Sequence, residues 1–321
     1  MPAIKQSACG KVILLGEHAV VYDQPALAMP VSSRRVKAWI EPRILAPSGQ
    51  IWVKSPFLGL DQDSLSLPEL HPVFQAIHLT LAELQVQQRP SCILHLSSDL
   101  PVSSGLGSSA SIAVATIRSM SAFLGHPLDT ESVNRIAFEC EKLVHGQPSG
   151  IDNTIVSYEK PVFFHKDKPI EFVNPTASIY FVLADSKIRK STKETVATLA
   201  ENLKADFEQI MPKLEAIGGL ALAGRDALTE GNLEKLAQAM KQNQSILKSL
   251  GLSCPELDSL IKTAMEAGAL AAKLTGGGKG GHIVALVEED KVSEVLLTLE
   301  EKHPQSNPFI TKLEREDNNE G

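Results

Sequence analysis

The sequence predicts a two-domain protein of mixed α/β class, of the α+β kind. Three observations lead there. Residues 1–175 alternate short β-branched, apolar runs with two helical stretches, whereas from about residue 191 the pattern is mostly helical. Asn174-Pro175 breaks the pattern between them, because the residue before a proline is pushed away from helix. A chain of 321 residues is long enough for two ordinary domains, and 43% hydrophobic with 21% charged residues is a globular composition. The expected division is 1–175 and 176–321, with the last strand free to pack back on the N-terminal domain.

The elements follow in order. Lys11–Leu15 and Ala19–Tyr22 flank the polar Gly16-Glu17-His18 and read as a strand pair or bent hairpin. Val36–Ile40, Ile51–Val53 and Cys92–Leu96 read as further strands. Ser108–Leu124, rich in Ala, Ile and Val without Gly or Pro, reads as a buried helix ended by Gly125 and Pro127. Thr130 is placed to cap a second helix that stops at Gly146. Its apolar positions Val133, Ile136, Ala137, Cys140 and Val144 share one face. Ser191 to Glu194 and Ser253 to Glu256 have capping-box spacing, and open helices near 192–210 and 255–267. Other helices fall near 213–230 and 232–250. Then come a strand at Leu270–Leu274, a glycine turn, the strand His282–Val287, a helix near 290–302 and a last strand, Phe309–Leu313. The acidic tail is expected to fray.

Composition removes several functional classes. No run approaches the roughly 18 to 20 apolar residues of a membrane span. The early run Val12–Leu15 is too brief for a secretory signal. Cys9, Cys92, Cys140 and Cys254 show neither CxxC pairing nor zinc spacing, which suits reduced thiols in a cytoplasmic protein. Net charge is 31 − 38 = −7 without a basic patch, and three Tyr, two Trp and ten Phe leave little for base stacking, so neither nucleic acid nor membrane is expected as a partner.

Three segments carry chemistry. Pro101-Val-Ser-Ser-Gly105-Leu-Gly107-Ser108-Ser109-Ala110 runs into a helix. Small residues let backbone wrap a phosphate, and the helix start favours an anion. No Lys follows the glycines, so it is not a Walker A loop. Gly105-x-Gly107-x-x-Ala110 matches the dinucleotide fingerprint, but no strand ending in an acid follows. The plain alternative is a Gly/Ser-rich helix cap. In the second segment, Glu141 lies about 80° from Val133 on the helical wheel, at the edge of the apolar stripe. Asp152 follows a Pro-Ser-Gly turn. One carboxylate can hold Mg²⁺ while the other faces an acceptor hydroxyl; the plain alternative is a solvated Glu and a turn Asp. The third segment, Lys273-Leu-Thr275-Gly276-Gly-Gly-Lys279-Gly-Gly281, has five glycines in six residues. Such entropy cost is justified by an unusual conformation or a close ligand; a flexible hairpin is the alternative. In the opening strand, Lys11 sits in an apolar run and either points into a site or lies at a strand edge.

Together these segments resemble the GHMP kinase superfamily, and within it the branch that phosphorylates mevalonate. The resemblance rests on Gly10-Lys-Val-Ile-Leu-Leu-Gly-Glu-His-Ala-Val-Val-Tyr22, Gly105-Leu-Gly-Ser-Ser-Ala110, His145-Gly-Gln-Pro-Ser-Gly-Ile-Asp-Asn153 and the late glycine loop, in family-like order across nearly the whole chain. The Gly-Leu-Gly-Ser-Ser loop marks the superfamily only. The Gly-Glu-His-Ala-Val-Val and His-Gly-Gln-Pro-Ser-Gly-Ile-Asp segments point to the branch.

The resemblance implies an N-terminal S5-like domain and a C-terminal ferredoxin-like domain, with the active site in the cleft between them. It implies a cytoplasmic, homodimeric enzyme that uses ATP and Mg²⁺ to phosphorylate the primary hydroxyl of (R)-mevalonate, giving 5-phosphomevalonate in isoprenoid biosynthesis. By the family pattern Asp152 and Lys11 are catalytic. Val102, Ser103, Ser104, Gly105, Leu106, Gly107, Ser108 and Ser109 bind ATP, and Ser108 and Glu141 hold the metal. Glu17, His18, Lys187, Thr192, Gly277 and Gly278 bind substrate. The sequence departs from the pattern at Cys9, where Pro is usual, at Asp23, where Gly is usual, and at Ser103 and Ser104, which replace a Gly-Ala pair. Another small-molecule kinase of the superfamily (for phosphomevalonate, homoserine or a sugar), an inert nucleotide-binding sensor, and a mevalonate diphosphate decarboxylase are the competing assignments.

Overall fold

The computed structural model describes residues 4–101, 105–145, 148–166 and 168–315. In chain order its elements are β1 (Ile4–Leu15), β2 (Ala26–Pro42), β3 (Ile51–Ser55), β4 (Leu60–Asp63), α1 (Pro72–Glu83), β5 (Cys92–Ser98), α2 (Ser108–Phe123), α3 (Thr130–His145), α4 (Ile151–Tyr158), β6 (Val162–Phe164), β7 (Glu171–Phe172), β8 (Ile179–Asp185), α5 (Thr192–Ala205), α6 (Phe207–Glu230), α7 (Leu233–Ser249), α8 (Pro255–Glu266), β9 (Ala271–Thr275), β10 (His282–Val287), α9 (Val292–Lys302) and β11 (Phe309–Leu313). Contacts divide the chain into two units. The first takes the described residues of Met1–Lys11, Arg34–Val102 and Gly107–Glu159. The second takes those of Val12–Ser33, Ser103–Leu106 and Lys160–Gly321.

In the first unit β5 pairs antiparallel with the distal part of β2, from Val36↔Ser98 to Pro42↔Cys92, and parallel with β3, which turns back into β4. Helices α1 to α4 pack on one another. Ala110 to Ile117 of α2 are all buried, as its small and branched residues require.

The second unit is built on a four-stranded antiparallel sheet in the order β11-β8-β10-β9, with Val284 facing both Leu183 and Lys273. Counted from β8, that is the 4-1-3-2 order of a ferredoxin-like split βαβ arrangement. Helices α8 and α9 pack on the sheet, and α6 pairs with α7. The core here includes Val182, Ala184, Ile217, Leu257, Leu274, Ile283 and Leu299. The last strand, β11, pairs with β8 within this unit rather than joining the N-terminal strands. The start of β2 carries β6 and then β7.

Several local expectations change. Ala19–Tyr22 is a turn of 3₁₀ helix, not a strand. Gly16 at φ +100° and His18 at φ +62° end the extended run, and the Val20 N–H bonds back to the Gly16 carbonyl. The helix expected over 192–210 stops at Ala205, because Asp206 caps α6 through its side chain on the Gln209 N–H. The Ser253–Glu256 capping box does not form; Ser253 donates to Asp258 at 2.7 Å instead. Asp129 rather than Thr130 caps α3, accepting from the Ser132 N–H at 2.8 Å.

Candidate active site

In the first unit, Lys11 leaves β1 with its stem buried, and its Nζ lies 2.9 Å from Asp152 Oδ1. Asp152 sits not in a bare turn but in the first turn of α4, after Gly150 at φ +87°. The positive end of that short helix favours a carboxylate there. Asp152 keeps a side chain 37% exposed, while that of Lys11 is 6% exposed. The arrangement sets a fixed ammonium beside a carboxylate whose face is open to a ligand.

Gly107 is the residue before α2, in the left-handed region at φ +71°, and has no side chain with which to cap the helix. A Cβ there would fall 2.7 Å from Lys11 Cγ, so the glycine is required for the loop to lie over the lysine stem. Ser111, in the first turn, donates to the Cys9 carbonyl at 2.6 Å and lies 2.9 Å from that of Gly107. This ties the helix start to the strand that carries Lys11. Ser109 donates to Glu141 Oε1 at 2.7 Å, so buried Glu141 of α3 is presented to the start of α2 by the serine after Ser108. Val102, Ser103 and Ser104 of the expected phosphate loop lie outside the described residues.

Arg118 locks these elements together. From α2 it donates to the Ser7 carbonyl of β1 and the Ser157 carbonyl of α4, both at 2.7 Å, and to Glu159 at 2.8 Å. Arg35 grips Glu159 with two further bonds of 2.8 Å. Burial alone would raise the Glu159 pKa; the hydrogen bonds from Arg35 and Arg118 outweigh it and hold the carboxyl below its ordinary range. Sequence reasoning missed this clamp. The available signal was that Arg118 is the one charged residue between Ser108 and Phe123.

The second unit holds the expected substrate residues. Gly105 approaches Gly276, so that a Cβ on Gly276 would lie 3.6 Å from the Gly105 backbone. A Cβ on Gly277 would collide with Thr192 Oγ1, and one on Gly278 would meet the Leu252 carbonyl at 2.5 Å. Glycines are therefore needed for packing at the start of α5 and the α7–α8 turn, which displaces the flexible-hairpin alternative. The His18 ring is buried; it faces the Gly277 backbone, but neither nitrogen makes a hydrogen bond of normal geometry. Burial, helped by the charge of Lys273, lowers its pKa to about 4, so the ring is neutral. Glu17 faces inward, with one oxygen on Lys273 Nζ and the other accepting from Asn243 Nδ2 at 3.0 Å. Lys187 turns back on Asp185 at the end of β8, 3.2 Å away, alongside Arg189. A cavity of about 470 Å³ beside Lys187, with Asp185, Glu256 and His303 in its walls, holds none of the other expected site residues.

Thus Lys11, Gly107, Ser109, Glu141 and Asp152 are linked within the first unit, and His18, Thr192, Gly277 and Gly278 cluster within the second. Lys187 turns its side chain onto Asp185, while its neighbours Ser186 and Ile188 hydrogen-bond Gly281 of the glycine loop. Both Glu17 oxygens are engaged by side chains of the second unit.

Comparison with known proteins gives consistent findings. Residues 71–160 match the model of the GHMP kinases N-terminal domain, and 225–305 that of the GHMP kinases C-terminal domain. Mevalonate kinase of Thermococcus sibiricus is 34% identical over 97% of this chain and 96% of its own. The crystal structure of L. major mevalonate kinase in complex with R-mevalonate matches with a TM-score of 0.83 and 28% identity, over 97% of this chain and 96% of that one. That of the Methanococcus jannaschii enzyme matches with a TM-score of 0.83 and 26% identity, over 98% and 99%.

Proposed function

Because the chain belongs to the GHMP kinase family, in its mevalonate kinase branch, we propose that its two units serve transfer of the γ-phosphoryl group of ATP to the primary hydroxyl of (R)-mevalonate. The observation that carries this reading is the Lys11–Asp152 pair, 2.9 Å apart, beside the helix start that follows Gly107.

Phosphoryl transfer needs little covalent work from the protein; positioning and neutralisation of charge dominate. Asp152 orients the acceptor hydroxyl and takes up its proton at the exposed carboxylate oxygen. Lys11 holds Asp152 in place and offsets charge on the group in flight. The N–H groups at the start of α2 face the phosphates, where the helix dipole favours an anion. Neutral His18 is a hydrogen-bonding partner for the acceptor's carboxylate rather than a cationic one.

Ser108 and Glu141 offer a hydroxyl and a carboxylate, hard oxygen donors that suit Mg²⁺. No cluster of three or more His, Cys, Asp or Glu occurs among the described residues, which fits an ion that keeps phosphate and water in most of its positions. Bound there, Mg²⁺ supplies charge neutralisation at the β- and γ-phosphates. Among the described residues no helix is long and apolar enough to cross a membrane, and the four cysteines are free. A homodimer belongs to the same proposal, and sedimentation of the purified chain checks it.

The test is ADP release with (R)-mevalonate set against phosphomevalonate, homoserine and galactose. Mevalonate is expected to be preferred. Turnover confined to another acceptor would move the chain to a different specificity, and no turnover with any would favour a sensor.

A further inference from the structure

We infer that Lys273 is a positioning residue for the acceptor site: sealed against Glu17, it holds the Gly16-Glu17-His18 turn in the strained conformation that presents the His18 ring. The inference rests on the acceptor-binding role proposed above for His18.

Lys273 lies in the middle of β9, and its side chain and that of Glu17 are both 0% exposed. Burying an ammonium is costly unless it is paired and hydrogen-bonded. Here Nζ is met by Glu17 and by the Leu274 carbonyl at 2.6 Å. Burial pulls the Lys273 pKa down, and Glu17 opposes that pull. Around the pair, Gln244 of α7 accepts from the Leu274 N–H at 3.0 Å. The Thr275 hydroxyl donates to the Ile13 carbonyl at 3.0 Å and lies 3.2 Å from the Ile13 N–H. So Lys273 of β9 and Asn243 of α7 hold Glu17, and Thr275 ties β9 to the distal part of β1.

The next residue shows why such an anchor is needed. His18 has φ +62° and ψ −42°, a conformation that costs free energy for a residue with a Cβ. Such backbone persists only where its surroundings over-determine it. The Glu17 side chain, one residue earlier, tethers this turn to Lys273 and Asn243. The result is a buried ring that faces the Gly277 backbone and whose nitrogens make no hydrogen bond of normal geometry among the described residues. A pair that only filled the core would leave substrate affinity and the ring's environment alone once stability was restored.

The variant Lys273→Met strands a buried carboxylate and is expected to unfold readily, so the test is made with Lys273→Met/Glu17→Gln, which removes both charges, and with the milder Asn243→Ala. Each is measured for Tm, for KM of mevalonate and of ATP, and by ¹H–¹⁵N spectra of the histidine rings, with His18→Asn identifying the His18 signals. The expected result for the double variant is a folded protein whose KM for mevalonate rises at least about tenfold while that for ATP stays within about threefold, with displaced His18 signals. Asn243→Ala is expected to shift both readouts in the same direction by less. Wild-type KM for mevalonate and unmoved His18 signals in folded variants would overturn the inference. Loss of mevalonate turnover in the wild type would defeat the proposed function instead, while the His18 signals would still report on the tether.

Discussion

Lys11–Asp152 in the first unit and Lys273–Glu17 in the second are built alike. Each is a strand lysine matched by a carboxylate brought from a distant stretch of chain. They differ in depth. Asp152 keeps a side chain 37% exposed, whereas neither side chain of the other pair is exposed at all. A carboxylate open on one face can meet a substrate and exchange a proton with it. A sealed pair cannot reach a ligand, and breaking it by removing one partner costs roughly 3–5 kcal/mol because a buried charge is left behind. Depth, more than residue type, separates the pair assigned to chemistry from the pair assigned to scaffolding.

The largest effect that could break this comparison is at Asp152. Asp152→Asn keeps the shape and loses the charge. It is expected to lower kcat by about 10²- to 10⁴-fold while ATP affinity, by calorimetry, stays within a few fold. A loss of stability with little loss of kcat would make it a second scaffolding pair.

A smaller effect is expected above Lys11. Gly107→Val adds a Cβ where φ is +71° and where Lys11 Cγ would be 2.7 Å away. Displacing the lysine stem is expected to lower kcat by roughly 10-fold or more and to weaken ATP binding as well. Wild-type kcat and ATP affinity in this variant would show that the loop does not constrain the lysine.

The smallest effect sharpens the comparison from within the first unit, where Glu159 is scaffolding without being sealed. Its folded pKa lies below the ordinary value, so the unfolded chain takes up the proton first as pH falls. Its stabilisation is complete above the unfolded pKa and is lost as pH falls through the folded one. Glu159→Gln is therefore expected to lower Tm by roughly 2–4 °C at neutral pH and to narrow the gap to wild type under acid conditions. A gap that stayed constant with pH would show that the Arg35–Arg118 clamp acts by packing alone.

Much of this was legible in the sequence, for identifiable reasons. α2 and β11 were readable from buried apolar residues between clear stops, and the nearness of Lys11 to Asp152 from their motifs. α4 was not, because its eight residues follow a Pro-Ser-Gly turn that reads as loop, and Asp152 was placed just past that turn without a helix. The 3₁₀ turn at Ala19–Tyr22 was hidden by β-branched residues whose preference was overridden by positive φ at Gly16 and His18. Glu17 was given as a substrate residue by the family pattern alone, and nothing local in the sequence pointed to its buried pairing. Its partner Lys273 is 256 residues away in sequence, and only the fold could join them. Arg118 was overlooked for the same reason, since its contacts lie on β1, α4 and Glu159.

The central claim is that Lys11 and Asp152 act as one catalytic unit. It is tested most directly by single-turnover rates with (R)-mevalonate for Lys11→Met, Asp152→Asn and the double variant, alongside wild type. The account predicts that each single variant is slowed severely and that the double is within about threefold of the slower single. Two losses that multiply, or a near-normal rate in Asp152→Asn, would contradict it.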